Sequence, residues 1–386
     1  MGHLVPVTVP PFRPGGAFTV GAEDEVILTA PDGGPRAVGA AETIRRLRGA
    51  TDPPFAVSPE LFANEIEFAT PVCADADAVV RSLSQSRRSL VGIGQSAVAV
   101  GVHPTAGLGE FQVSAGARYA ALGDELAGFL RTPTAAFQVH VGMPDPVTLV
   151  AVFRLLRNRL AMLRGLSAGS PFWHGRDSGL ASARGAIHRS YPRTETPPVL
   201  RSYEDYQALA SEQIAAAEAP DHTYVWWDLR PHPRFGTVEV RVMDAQCSLE
   251  RAAGLITLIQ GLAIAAAESP PEEDLPTAVL EENDFRAVRY GVDARIVDVD
   301  GRVRPLRSIA LEAIDSARDA VRQVASSAPL EDLAGRLFCE SECDRLRRLH
   351  ATGGMASVLA DLQRRTVTAV GEPQSSPEES SPGETG

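Results

Sequence analysis

The chain has 386 residues, 44% of them hydrophobic, enough to enclose a sizeable core in one large domain or two smaller ones. Its 49 acidic and 37 basic side chains leave a net charge of −12, and without a basic stripe to offset the acid a general nucleic-acid binder is excluded. Every basic residue is Arg, so the chain has neither a Schiff-base lysine for pyridoxal chemistry nor the lysine of a phosphate-binding P-loop.

Residues 1–17 are Pro-rich at the start and are expected to form a loose arm, with no basic-then-apolar segment of a secretory signal. Strand-like alternation begins at residues 18–28, where Glu23 and Glu25 share a face and Ala22, Asp24 and Val26 take the other. In residues 64–69, Glu65 and Glu67 alternate with Ile66 and Phe68. In residues 137–141, Gln138 and His140 alternate with Phe137, Val139 and Val141. A helical period over residues 148–167 aligns Leu149, Val152, Phe153, Leu156, Leu160 and Leu163. Residues 237–243 return to alternation, with Glu239 and Arg241 opposite Val238, Val240 and Val242.

Residues 249–267 are almost wholly apolar and predict a buried helix, followed by a polar surface loop at 269–274. Residues 307–326 and 340–370 are amphipathic and Arg-rich, which predicts outer helices. The tail, 371–386, is Ser, Pro, Glu and Gly and is expected to be disordered. No run of about 18 apolar residues predicts a membrane span. Four cysteines make no disulfide framework, so a reducing cytoplasm is the expected compartment. Cys339 and Cys343 lie one helical turn apart with His350 beyond, the spacing of half a metal site, although cysteine pairs on helices ordinarily pack.

An alternating strand usually turns its polar face to water. Here four such faces carry mainly carboxylates, with one histidine and one arginine, and carboxylates placed side by side repel unless cations lie between them. Hard oxygen ligands with one imidazole suit Mg²⁺ or Mn²⁺, and because Mg²⁺ usually bridges to phosphates a nucleotide is implied. Arginines would then grip phosphate or carboxylate oxygens in pairs. Gly92-Ile93-Gly94 lacks the third glycine and the βαβ setting of a dinucleotide fingerprint.

Several motifs resemble, in order, those of the carboxylate–amine ligases of the glutamate–cysteine ligase type 2 family. Val20-Gly21-Ala22-Glu23-Asp24-Glu25 is similar to the family's opening acidic strand, and Glu60-Leu61-Phe62-Ala63-Asn64-Glu65-Ile66-Glu67 to its second acidic motif. Further matches are Gly101-Val102-His103-Pro104, Val139-His140-Val141-Gly142, Ser170-Pro171-Phe172-Trp173-His174-Gly175-Arg176, Trp226-Trp227-Asp228-Leu229-Arg230-Pro231, Thr237-Val238-Glu239-Val240-Arg241 and Glu282-Asn283-Asp284-Phe285-Arg286-Ala287-Val288-Arg289. The resemblance covers residues 18–370, read as a single catalytic domain. It implies an α+β, glutamine-synthetase-like fold: a curved antiparallel sheet with helices on its outer face. It also implies ATP-dependent activation of an amino-acid carboxylate, glutamate above all, as an acyl phosphate that cysteine or another amine attacks.

Carried over, Glu23, Glu25, Glu60, Glu67, Gln138 and Glu239 are the expected ligands of Mg²⁺ or Mn²⁺. Glu60 rests on the resemblance alone. Arg241, Glu67 and Arg289 are the expected catalytic residues, and Arg230, Arg241, Trp227 and His140 the expected nucleotide contacts. Trp226 or Trp227 would stack on adenine or substrate, while His103 and His188 read as core or loop histidines. Where the family strand reads His-Val-His-Val-Gly, this chain has Gln138, an amide without a titratable proton. Two alternatives remain open: a phosphotransferase of the same fold, and a non-catalytic nucleotide- or amino-acid-binding member. The expected partners are small amino-acid substrates, with no nucleic acid or membrane and possible self-association.

Overall fold

The computed structural model describes residues 9–50, 55–130, 132–271 and 273–368. Its strands are β1 (Val20–Thr29), β2 (Ala56–Pro59), β3 (Glu65–Ala69), β4 (Ser96–Val98), β5 (Ala136–Gly142), a short hairpin of β6 (Phe172–Trp173) and β7 (Arg176–Asp177), β8 (Leu229–His232), β9 (Thr237–Asp244), and a second hairpin of β10 (Arg295–Val297) and β11 (Val303–Pro305). One antiparallel sheet runs β2-β3-β1-β5-β9-β8, and β4 pairs with the far end of β1. The alternation read from the sequence puts Val20, Ala22, Phe137, Val139, Val141, Val238, Val240 and Val242 on one face, where they join the main apolar core.

Long helices pack on that face, while the shorter helices Ala117–Leu126 and Ala183–His188 reach the cleft on the other. Pro146–Ser167 starts on an Asp145 cap, whose side chain accepts from the Thr148 N–H, with Pro146 in the first turn where no backbone donor is needed. Its expected apolar stripe is buried, with Leu149, Val152, Phe153, Leu156 and Leu163 fully out of water. Each such side chain contributes about 1.5–3 kcal/mol. Leu249–Glu268 is the buried helix expected from its composition. It is long and apolar enough to cross a membrane, but it lies inside the core, with Leu306–Val321 and Ala328–Arg336 packed over its outer side. Gly261 allows the closest approach there: a Cβ at that position would lie 2.7 Å from the Ala317 Cβ.

The first of the two outer helices expected from the sequence ends at Val321, earlier than its amphipathic pattern extends. The second, Glu342–Val367, is broken at Gly354, whose φ of 69° lies in the left-handed region. The 269–274 loop is held down, since Arg154 pairs with Asp274 at 2.8 Å and Asn158 donates to the Glu273 carbonyl at 3.0 Å. Residues 9–17 are tied to the body: Val9 is buried, Phe12 packs edge-on against Tyr203, and the Arg13 N–H donates to the Pro233 carbonyl. The rest of the expected loose arm, residues 1–8, and the 371–386 tail lie outside the described residues. Cys339 is exposed, whereas the Cys343 thiol is buried and donates to the Ala181 carbonyl; His350 packs on Phe172. These three do not assemble as metal ligands among the described residues.

Candidate active site

The opposite face of the sheet carries the acidic residues, and strand register decides which of them meet. Glu25 on β1 lies opposite Glu67 on β3, and Glu23 lies opposite Gln138 on β5. His140 lies opposite Glu239 on β9, and Glu239 opposite Arg230 on β8. A bulge between Phe137 and Val139 gives β9 an extra residue beside Gln138. Arg241, at this bulge, donates to both Gln138 and Glu239. The Gln138 amide in turn donates to Glu25 at 2.7 Å, so one chain of contacts runs Glu25–Gln138–Arg241–Glu239 across three strands. Glu60 joins from the loop after β2, whose backbone is held by Ser114, donating from its hydroxyl to the Glu60 carbonyl and from its N–H to that of Leu61, and by the Glu60 N–H, which donates to the Glu65 carbonyl.

Two triads result. Glu23, His140 and Glu239 form one, and Glu25, Glu60 and Glu67 the other; within each, potential ligand atoms lie within 4.8 Å of one another. Their charges are unequally compensated. Burial pushes Glu239 up, but Arg230, Arg241 and His140 together hold it well below the ordinary carboxylate range. Burial also raises Glu23, yet the neighbouring His140 ring brings it below its usual value. In the second triad burial and mutual repulsion dominate. Glu60 is pushed up to about 8 by burial and by Glu25 and Glu23, and Glu67 is raised well above the usual range by burial and by Glu23, Glu60 and Glu25.

Beyond these triads the cleft, of about 360 Å³, contains residues that were not among the expected ligands or contacts. Glu65 is 3% exposed and its Oε1 has no hydrogen-bond partner. The buried Arg184 Nε and Tyr191 Oη are likewise unpartnered. Arg184 comes from the six-residue helix Ala183–His188, capped by Ser182, and its other nitrogens reach only the Val242 and Arg241 carbonyls, at 3.4 and 3.3 Å. Glu65 was detectable from its strand, since it shares a face with Glu67. A short helix far away in sequence gave Arg184 no comparable signal.

Glu23, Glu25, Glu60, Glu67, Gln138, Arg230 and Arg241 all line the cleft, and His140 and Glu239, just behind its wall, complete the first triad with Glu23. Two expected site residues belong to neither the cleft nor a triad. Trp227 is 2% exposed and packs edge-on against Tyr206 behind the sheet, while Trp226 turns into the cleft. Consecutive residues of an extended segment point to opposite sides, and the register at β8 sends the second tryptophan inward. Arg289, at the C-terminal end of Thr277–Tyr290, donates to the Gly179 carbonyl and borders a separate cavity on the other side of the protein. Asp24 also faces away, paired with Arg87 in the core. His103 is buried against the Gly33 carbonyl, as a core histidine; His188 lines the cleft, where burial and then the surrounding arginines, Arg184 first, push it well below its ordinary value.

A family model described as glutamate–cysteine ligase family 2 matches residues 19–372. A glutamate–cysteine ligase of Haloferax volcanii is 32% identical over 358 residues, 89% of this chain and 96% of that protein. A Rubrobacter xylanophilus relative is 33% identical over 353 residues, 89% of this chain and 95% of its own length. Among solved structures, the glutamate–cysteine ligase of Francisella tularensis in complex with AMP superimposes with a TM-score of 0.69 at 12% identity, covering 93% of this chain and 89% of that one. A bifunctional glutathione synthetase from Pasteurella multocida gives 0.60 at 14% identity, covering 91% of this chain and 52% of that one. The fold is therefore the glutamine-synthetase-like arrangement of an open antiparallel sheet with long helices packed on one face.

Proposed function

The chain belongs to glutamate–cysteine ligase family 2, and on that premise we propose that it is an ATP-dependent ligase that joins an amino-acid carboxylate, that of glutamate, to cysteine or another small amine. The observation that carries this reading is the pair of ligand triads on one sheet face, linked through Gln138 and Arg241. In the reaction the acid's carboxylate oxygen takes the terminal phosphoryl group of ATP, ADP leaves, and the amine displaces phosphate from the acyl phosphate to form the amide.

The donor set fits Mg²⁺ or Mn²⁺. Three carboxylates within 4.8 Å stay ionised together only with a cation between them, and the buried His140 Nε2 faces the Glu23 carboxylate at 3.3 Å. Glu25, Glu60 and Glu67 would hold one ion, and Glu23, His140 and Glu239 another. Such ions, when bound, neutralise charge on phosphate oxygens. Arg241 stays cationic at every working pH and supplies a fixed positive charge at the centre of the face. Arg230 is saturated by Glu239, at 2.9 and 2.7 Å, and by backbone carbonyls, so it orients that carboxylate rather than a phosphate. Glu65, Arg184 and Tyr191 offer an acceptor and two donors in one corner, a set suited to the ammonium and carboxylate of an amino acid.

Glu60 keeps its proton up to about pH 8 in the ligand-free protein, so cation binding at pH 7 must expel it. Mn²⁺ addition is expected to release protons, and apparent affinity to rise with pH through 8. Calorimetry in two buffers of different ionisation heat counts those protons; a count of zero removes Glu60 from the cation set. The reaction itself is tested by ADP release from ATP and Mg²⁺ with glutamate, alone and with a panel of amines, reading products by mass. Amine-dependent ADP release with a new amide mass is expected. ADP formation with only a phosphorylated acid as product would overturn the ligase reading, as would ATP binding without turnover across the panel.

A further inference from the structure

We propose that a second cavity, behind the sheet, binds a small organic anion: a carboxylate or phosphate head on a compact apolar body. The cavity has a volume of about 220 Å³ and shares no lining residue with the acidic cleft. Leu166, Ala168, Val292, Leu333 and Leu337 form its apolar wall.

Its charged lining is balanced only in number. Asp293, Glu340 and Glu342 are each paired with an arginine outside the cavity: Arg307 at 2.9 Å, Arg348 at 2.9 Å and Arg345 at 2.6 Å. Asp344 accepts from the Ser341 hydroxyl at 2.6 Å and lies 3.7 Å from Arg347, which pairs with Asp177. Arg336 is held by Asp332 on its own helix. Arg251 and Arg289 remain. Arg251 donates only to the Leu166 and Ala168 carbonyls, and Arg289 only to the Gly179 carbonyl while lying over the Tyr290 ring. Neither forms an ion pair among the described residues. Arg251 feels Glu342 only beyond ion-pair distance, and that carboxylate is already shared by Arg345 and Arg365; two guanidinium groups without a direct carboxylate partner, set against an apolar wall, are complementary to an anion with an apolar body.

The cavity also touches the support of the cleft. Ala181 lines it, and the Ala181 and Ser182 N–H groups both donate to the Val288 carbonyl, the residue just before Arg289. Ser182 then caps the short helix that presents Arg184 to the acidic face. An anion held by Arg289 therefore sits at the junction from which that helix starts.

The test is calorimetry on the full chain with benzoate, phenyl phosphate and inorganic phosphate. Benzoate or phenyl phosphate should bind at least about tenfold tighter than inorganic phosphate, and the stronger of the two identifies the head group. Arg289→Gln, at an exposed position that leaves the core intact, should weaken that binding by about tenfold or more, and Arg289→Lys should retain part of it. Glu67→Gln, in the other cleft, should leave it unchanged. The proposal is overturned if neither aromatic anion binds, if inorganic phosphate binds equally well, if Arg289→Gln has no effect, or if Glu67→Gln abolishes binding.

Discussion

Glu67→Gln is expected to lower turnover by at least about a hundredfold and to raise the melting temperature of the ligand-free protein. The two effects share one cause. Glu67 is surrounded by Glu23, Glu25 and Glu60, and a single hydroxyl, that of Ser58 at 3.2 Å, hydrogen-bonds to its carboxylate. An amide of the same shape is neutral without having to take up the proton that burial and the neighbouring carboxylates force on Glu67, a gain of about 1 kcal/mol or more of stability, and it also removes a hard oxygen from the proposed ion site. Loss of one such charge-stabilising group costs about 10²–10³ in rate. The melting rise that Mg²⁺ gives the parent protein should shrink in the variant. Near-normal turnover at limiting Mg²⁺, or a lower melting temperature without ligand, would place Glu67 outside the cation set.

The largest stability effect should lie behind the sheet. Arg87 grips Asp24 with both ends of its fork, at 2.8 and 2.8 Å, and both side chains are essentially free of solvent. It also donates to the Gln246 carbonyl at 2.7 Å, and more weakly to those of Cys247 and Thr366. One guanidinium thus joins β1, the turn after β9 and the last helix. Arg87→Met would strand a buried carboxylate and should cost about 3–5 kcal/mol, read as a lower urea midpoint with an unchanged slope. Asp24→Asn added to Arg87→Met should restore part of the loss, because the stranded charge is gone. A loss below about 1 kcal/mol would show that water reaches Asp24 once the arginine is removed.

The period-2 patterns revealed in advance which carboxylates share a face, because strand geometry leaves an alternating segment no other arrangement. Glu23, Glu25, Glu67 and Glu239 meet for that reason, and Asp24, one residue out of step, is sent to the core. Patterning says nothing about where a helix end points. Arg289 sits in a motif-rich stretch, yet the Thr277–Tyr290 helix delivers it to the opposite side of the molecule. Adjacent Trp226 and Trp227 were bound to face opposite ways, but which one faces the cleft depends on the turn at His222–Tyr224 and on β8 register, both set by tertiary packing. Gln138 looked like a weakened ligand. The bulge beside it instead makes it a clasp between Glu25 and Arg241, a role that depends on one unpaired residue in the neighbouring strand.

The helix Leu249–Glu268 has a consequence for biosynthesis. Its covering helices, Leu306–Val321 and Ala328–Arg336, come after it in the chain, so they leave the ribosome later. At ordinary translation speeds the delay is a few seconds to roughly fifteen. Throughout that interval an apolar rod of membrane-spanning length lacks the cover of those two helices. The nascent chain is therefore most vulnerable to aggregation, and most in need of a chaperone, in the stretch of synthesis between residues 268 and 336. A premature stop there would leave a product with an adhesive back.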